Sequence, residues 1–357
     1  MADRHGRTAV RCRAADENGW DAAAAMMPED TDRHGDAAPL AVGRLTSILL
    51  CLAIFASGYA FSIWLLDAYR AGDQEHYANF WQAMMWTHPS QWRRLQVEYL
   101  SSAEPLYRFI IGAGTYLKFD RLRYLAFWNG LLLSAIGFIL LKYRASLVFS
   151  LLVFSNYYIF VLLAPAERLK FAYLMLVLAF CGGGIKWKGA LSILSVFAHT
   201  QAIVQFVSSA MYYVIESRKA IFSSRWKTSL FAIGVPLVIG LAIYTLISSS
   251  GDVISQKADF YGEESQGIIE IIQWVLILIC GMVVFEKRLQ FFIGMLPMGV
   301  LTSLYGNRIN VATLAFFCAL SLSQRRTTHP LVLAVMAYMS FKTIGFITNV
   351  LNTGQGF

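Results

Sequence analysis

Arg168, His199 and Arg308 each stand at the end of an apolar run, in a chain of 357 residues that is 57% hydrophobic and only 15% charged. Charge carried to bilayer depth is expensive unless it faces a wet cavity or a partner, so such residues mark functional sites. Arginine grips anions with a planar fork that stays protonated in a partly dry site, which makes Arg168 and Arg308, with Arg70 third, natural ligands for an anionic substrate. A proton acceptor must be a carboxylate or a neutral imidazole. Asp73, Glu104 and His199 meet that need, and imidazole ordinarily titrates nearest neutrality. Each has a structural alternative. Glu167 offers Arg168 a local salt bridge, Arg308 could snorkel to the interface, and His199 could hydrogen-bond across helices. Glu104 could cap the helix that Pro105 opens.

The elements that must position these residues are membrane-grade. Apolar stretches run at roughly 44–66, 105–119, 124–141, 146–163, 171–185, 189–215, 228–248, 268–285, 290–305, 309–322 and 330–348. Open strands cannot satisfy their backbone in lipid, so the expected fold is an all-α integral membrane protein with about ten or eleven membrane helices. Several runs fall short of the roughly 20 residues a crossing needs, which predicts short, broken or re-entrant segments. Residues 1–43 lack apolar periodicity and read as a disordered cytoplasmic leader. Residues 44–350 form the polytopic domain and 351–357 a short tail.

Basic clusters set the orientation. Residues 1–43 hold five Arg against eight acids, so the remainder carries about +11 of the formal +8 total. That excess sits in Lys142 with Arg144, Lys186 with Lys188, Arg218/Lys219/Arg225/Lys227, Lys287 with Arg288, and Arg325 with Arg326. Such short clusters between apolar runs suit cytoplasmic anchoring and anionic lipid rather than nucleic acid. Placing all five inside requires 105–119 to dip and return and 189–215 to be a broken pair around His199. The external side then receives 67–104, 164–170, 249–267 and 306–310. The loop 67–104 is too polar to span, and its Trp and Tyr spacing suits an interfacial helix.

The five cysteines are scattered singly and form neither a disulfide framework nor a metal site. No Walker loop, HExxH, CxxC or Gly-x-Ser-x-Gly elbow occurs, which removes ATP-driven transport, zinc proteolysis and common hydrolase schemes from the front rank. The parts before and after residue 190 share no polar spacing, against a transporter built of repeats.

The order of the polar motifs resembles the EpsG/Wzy-type polysaccharide polymerases. Tyr69-Arg70-Ala71-Gly72-Asp73 with Tyr77, then Glu104-Pro105-Leu106-Tyr107, Glu167-Arg168-Leu169-Lys170-Phe171-Ala172, Phe197-Ala198-His199-Thr200-Gln201-Ala202-Ile203 and Gly306-Asn307-Arg308 carry the likeness over about residues 45–320. It implies a GT-C-like polymerase or ligase architecture in the bacterial inner membrane, with the site facing the periplasm. The implied activity is polymerisation of O-antigen or exopolysaccharide repeat units carried on undecaprenyl diphosphate. Arg168, Arg308, Arg70, Tyr77 and Tyr107 would bind diphosphate and glycan, and Asp73, His199 or Glu104 would serve as base. No metal and no cofactor is implied. Partners would be the lipid-linked donor and acceptor, membrane lipids, a chain-length regulator and a flippase. The alternatives are a metal-dependent polyprenyl-phosphate-sugar glycosyltransferase, with Asp67 or Asp73 as base or metal ligand, and a glycan ligase akin to the O-antigen ligases.

Overall fold

Among the described residues every regular element is helical, as apolar runs that must satisfy their own backbone demand. The computed structural model of the protein describes residues 43–182, 185–209, 211–212, 267–305 and 307–356, with backbone alone for 185–186, 267, 303–305 and 307–308. The leader up to residue 42, the Arg218/Lys219/Arg225/Lys227 group, the run 228–248 and the acidic loop as far as 266 lie outside them.

The helices are α1 Arg44–Ala68, α2 Asp73–Met85, α3 Trp92–Leu100, α4 Pro105–Tyr116, α5 Arg121–Lys142, α6 Leu147–Phe154, α7 Tyr157–Leu163, α8 Glu167–Cys181 and α9 Ile185–Ala198. After the gap come α10 Gly267–Val284, α11 Arg288–Tyr305, α12 Asn307–Ser323 and α13 Pro330–Thr353. Three of them, α1, α5 and α13, are long and apolar enough to cross a membrane, and α9 to α12 contribute shorter apolar segments. Much of this apolar surface faces outward: Leu45, Ile48, Leu49 and Leu52 on α1, and Phe341, Ile344 and Leu351 on α13, are exposed. Exposed apolar surface on that scale has a natural solvent in lipid.

Local chemistry sets the boundaries. Asp120 caps α5 by accepting from the Arg123 N–H, and His329 accepts from Leu331 N–H ahead of Pro330, which occupies the first turn of α13. The run 146–163, expected as one segment, is two helices, because the Asn156 side chain accepts from Tyr158 N–H and starts α7 afresh. The long α1–α5 contact depends on small residues. A Cβ on Gly130 would stand 2.9 Å from the Phe55 carbonyl oxygen, so only glycine allows that approach.

Cross-contacts sort the helix ends into two groups. At one end the Lys142 ammonium donates to the carbonyls of Phe180 and Cys181 at 3.1 and 3.3 Å, Ser146 Oγ donates to Thr327 O at 3.2 Å, and Arg326 pairs with Glu286 at 2.7 Å. The described basic clusters therefore share that end. At the other end the Gly354 carbonyl accepts from the N–H groups of Arg70 and Ala71, Gln74 reaches Ala164 O, and Arg121 reaches Glu167. Helix α5 joins the two ends, and its 22 residues span about 33 Å at helical rise, close to the thickness of a bilayer core.

Two segments return to the end of the bundle from which they start. The chain enters α4 beside Arg168 and leaves it for Arg121 beside Glu167, so α4 begins and is followed at the same end. Helix α9 stops at Ala198, helical backbone resumes at 202, and Tyr212 then receives the Gln324 side chain at 3.3 Å, back toward the basic end. The break falls at His199.

Candidate functional site

The left-handed turn at Gly72, φ 64°, reverses the chain after α1 and starts α2 with Asp73 and Glu75 in its first turn. Gln74, Tyr77, Phe80, Trp81 and Met84 form the buried stripe of α2, and Asp73 lies one turn from Tyr77, near enough for its charge to act on the phenol. Helix α3 packs its Gln96 and Leu100 inward. The Gln96 amide donates to Glu104 O at 3.0 Å and to Ser102 Oγ at 3.3 Å, which fixes the backbone that leads into α4.

Glu104 occupies the cap position of α4, with Pro105 next, yet its side chain makes no capping hydrogen bond. The carboxylate turns instead to Arg168, whose Nη1 donates at 3.2 Å and 3.4 Å to its two oxygens, and to His199, whose Nδ1 lies 2.9 Å from Oε1. Arg168 Nε donates to the Tyr77 hydroxyl at 3.4 Å. Glu104 and Arg168 are 7% and 8% exposed, so the pair is desolvated. Burial by itself would raise the Glu104 carboxyl, but the Arg168 charge and the His199 contact outweigh it and hold the group well below the usual carboxylate range. Burial pushes the Tyr77 phenol up to about 12 against the pull of Arg168. An ionised Glu104 only accepts, so the proton of this contact sits on His199 Nδ1. The second terminal nitrogen of Arg168, Nη2, makes no hydrogen bond among the described residues.

A second buried network lies beside the first. Glu167 does not pair with its neighbour Arg168: consecutive helical residues diverge by about 100°, and Glu167 faces Arg121 instead, Oε1 accepting at 2.6 Å. Its Oε2 accepts from the Tyr107 hydroxyl at 3.1 Å, and Arg121 also donates to Gln74. The Tyr107 ring lies 6.1 Å from that of Tyr77 and 5.9 Å from that of Phe171, which links the two networks through aromatic contact. Lys170 is fully buried on the next turn, its ammonium 5.5 Å from the Phe171 ring and without a hydrogen bond among the described residues.

The structure thus brings Glu104, Arg168, His199 and Tyr77 into one contact set, with Asp73 a helical turn away. Tyr107 serves the Glu167 network. Arg70 lies apart: its guanidinium is exposed and bonded to Asp67 at 3.2 Å, on the rim of a cavity of about 220 Å³ that Gln74 and Arg121 also line. Arg308 opens α12 at the same end of the bundle, where nearby Asn310 donates to Glu270 O at 3.1 Å, while its own side chain lies outside the described residues. Gln74, Arg121 and Lys170 were not singled out from the sequence. Arg121 sits directly after a helix cap, where cations are disfavoured, and that misfit was the available signal. Compared with protein-family models, curated proteins and solved structures, the chain gives no match.

Proposed function

We propose that this protein is an integral membrane glycosyltransferase that polymerises oligosaccharide repeat units carried on polyprenyl diphosphate, with the Arg168–Glu104–His199 set as its reaction centre. One observation carries the reading: a desolvated arginine and a carboxylate-oriented histidine share a single carboxylate at one end of an apolar helical bundle. In the proposed step the acceptor hydroxyl attacks the anomeric carbon, its proton passes to His199 Nε2, and the glycosyl–oxygen bond breaks with its electron pair leaving on the lipid diphosphate. Arg168 receives that growing charge through its remaining N–H groups, the kind of preorganised stabilisation that supplies the largest share of many rate enhancements. Glu104 orients the imidazole, as a buried carboxylate does in other proton-transfer pairs. It also keeps Arg168 in place before substrate arrives. Tyr77 stiffens the guanidinium from the opposite side, and Asp73 stands within reach of the same face of α2.

The test is incubation of purified protein with a lipid-linked repeat unit and separation of products by size. A ladder supports polymerisation, and a single shifted band assigns a ligase instead. Arg168→Lys keeps the charge that Glu104 requires but loses the fork, so it should fold and lose roughly 10²-fold or more in chain growth. An unchanged ladder in Arg168→Ala would sink the assignment.

A further inference from the structure

The outer face of α3 is not absorbed by that reaction. Trp92, Gln96 and Leu100 turn inward, and a Cβ on Gly112 would collide with the Trp92 ring, so α3 is seated tightly on α4. The opposite face shows Arg93, Arg94, Val97 and Glu98, which with Ser90 line an open depression of about 530 Å³. Arg108, one turn into α4, stands near enough to Arg93 for their charges to repel, and its Nη1 is buried without a hydrogen-bond partner among the described residues. None of the three arginines has a carboxylate within ion-pair distance among the described residues, and Glu98 leaves the patch with a net positive charge. The Arg108 guanidinium lies 5.6 Å from the centre of the Phe109 ring, which is 61% exposed, and Trp86, just ahead of α3 in the chain, is 84% exposed.

Like charges crowded together beside exposed aromatic rings, next to helices that can cross a bilayer, call for an anion attached to an apolar body. We propose that Arg93, Arg94 and Arg108 form a binding site for the headgroup phosphate of an anionic phospholipid, with Trp86 and Phe109 resting at the level of the headgroups. A lipid phosphate takes bidentate donation from the guanidinium forks, removes the Arg93–Arg108 repulsion and gives the buried Nη1 its acceptor. Trp at the bilayer interface is the usual aromatic belt. Because α3 also holds the Glu104 backbone through Gln96, a lipid bound there would tie the floor of the buried site to the membrane surface. This inference rests on membrane residence and not on any glycosyl transfer.

The experiment is native mass spectrometry of the full chain in detergent, titrated with phosphatidylglycerol or phosphatidylcholine. Wild type should retain at least one phosphatidylglycerol that survives where phosphatidylcholine is lost. An Arg93→Gln/Arg94→Gln/Arg108→Gln variant should bind it about a hundredfold more weakly, on the order of fivefold per arginine, with an unchanged melting temperature. Arg70→Gln, whose arginine already has Asp67, should bind as wild type does. Equal retention of both lipids, wild-type affinity in the triple variant, or inorganic phosphate held as tightly as the lipid would each overturn the proposal. Should the triple variant melt early, Arg93→Gln/Arg94→Gln alone, both on the outer face of α3, must still lose about twenty-five-fold.

Discussion

Exchanging Glu104 for glutamine keeps the shape of the side chain and removes its charge, which leaves the Arg168 guanidinium 8% exposed with the Tyr77 hydroxyl as its remaining partner. Breaking a buried ion pair from one side costs about 3–5 kcal/mol, because a charge is stranded in a medium that cannot solvate it. The introduced amide could still offer its oxygen to Arg168, so the lower end of that range, about 3 kcal/mol, is expected. Arg168→Gln should cost a similar amount by stranding the carboxylate, which retains His199 at 2.9 Å. If the two side chains act mainly on one another, the double variant loses less than the sum, with a coupling of about 2–3 kcal/mol. Chemical denaturation in a mild detergent, followed by near-ultraviolet circular dichroism, measures all four corners of the cycle. Additive losses, or a single-variant loss under about 1 kcal/mol, would refute the view that Glu104 is what keeps a charged Arg168 inside. The sign with pH is also set. A carboxyl held below its ordinary value contributes above that value and is lost only as pH falls through the depressed one, so the coupling at about pH 7 should persist to about pH 5.

The second network yields a contrast. Glu167→Gln strands Arg121, whose side chain is 16% exposed, and should cost about 3 kcal/mol, whereas Asp67→Asn, beside the exposed Arg70, should stay within about 0.5 kcal/mol by the same denaturation. His199→Gln should fold normally yet lower turnover by about 10²–10⁴ and abolish the acid limb of the pH–rate profile; a retained limb would move the base to Asp73. In a cysteine-free background, Gln355→Cys and Ser101→Cys should react with an impermeant thiol reagent from one side of sealed vesicles and Arg325→Cys from the other. Labelling of Gln355→Cys and Arg325→Cys from the same side would overturn the two-ended arrangement.

Much of the scaffold was legible because its determinants are local. Pro105 announces a helix start through its own chemistry, and the break at His199 follows from the need to keep basic clusters at one end. The internal break at Asn156 was hidden by the apolar residues around it. The pairings inside the site are of another kind. Glu104 meets Arg168 across 64 positions and His199 across 95, and Arg121 meets Glu167 across 46. No periodicity links residues so distant, so the three proton-acceptor candidates could not be ranked from sequence. The neighbouring carboxylate, Glu167, was the obvious partner for Arg168 in one dimension and the wrong one in three, since helical geometry turns adjacent residues apart.

Helix polarity gives the site a further logic. Helix N-termini carry a partial positive charge and favour acids, so a basic residue in the first turn costs roughly 0.3–1 kcal/mol. Three helices nevertheless begin at the site end with bases in or beside the first turn: Arg121 and Arg123 on α5, Arg168 and Lys170 on α8, and Arg308 on α12. Glu104 and Glu167 offset part of that potential from outside and from the first helical residue. The rest is net positive charge at the starts of these helices. Asp or Ser would suit these helix starts better, although Arg121 and Arg168 gain buried carboxylate partners there. An anion that arrives from outside would meet the N–H groups at these helix starts together with that charge. Under the proposed reaction, the diphosphate would bring its charge to these helix starts while its lipid tail remains in the bilayer.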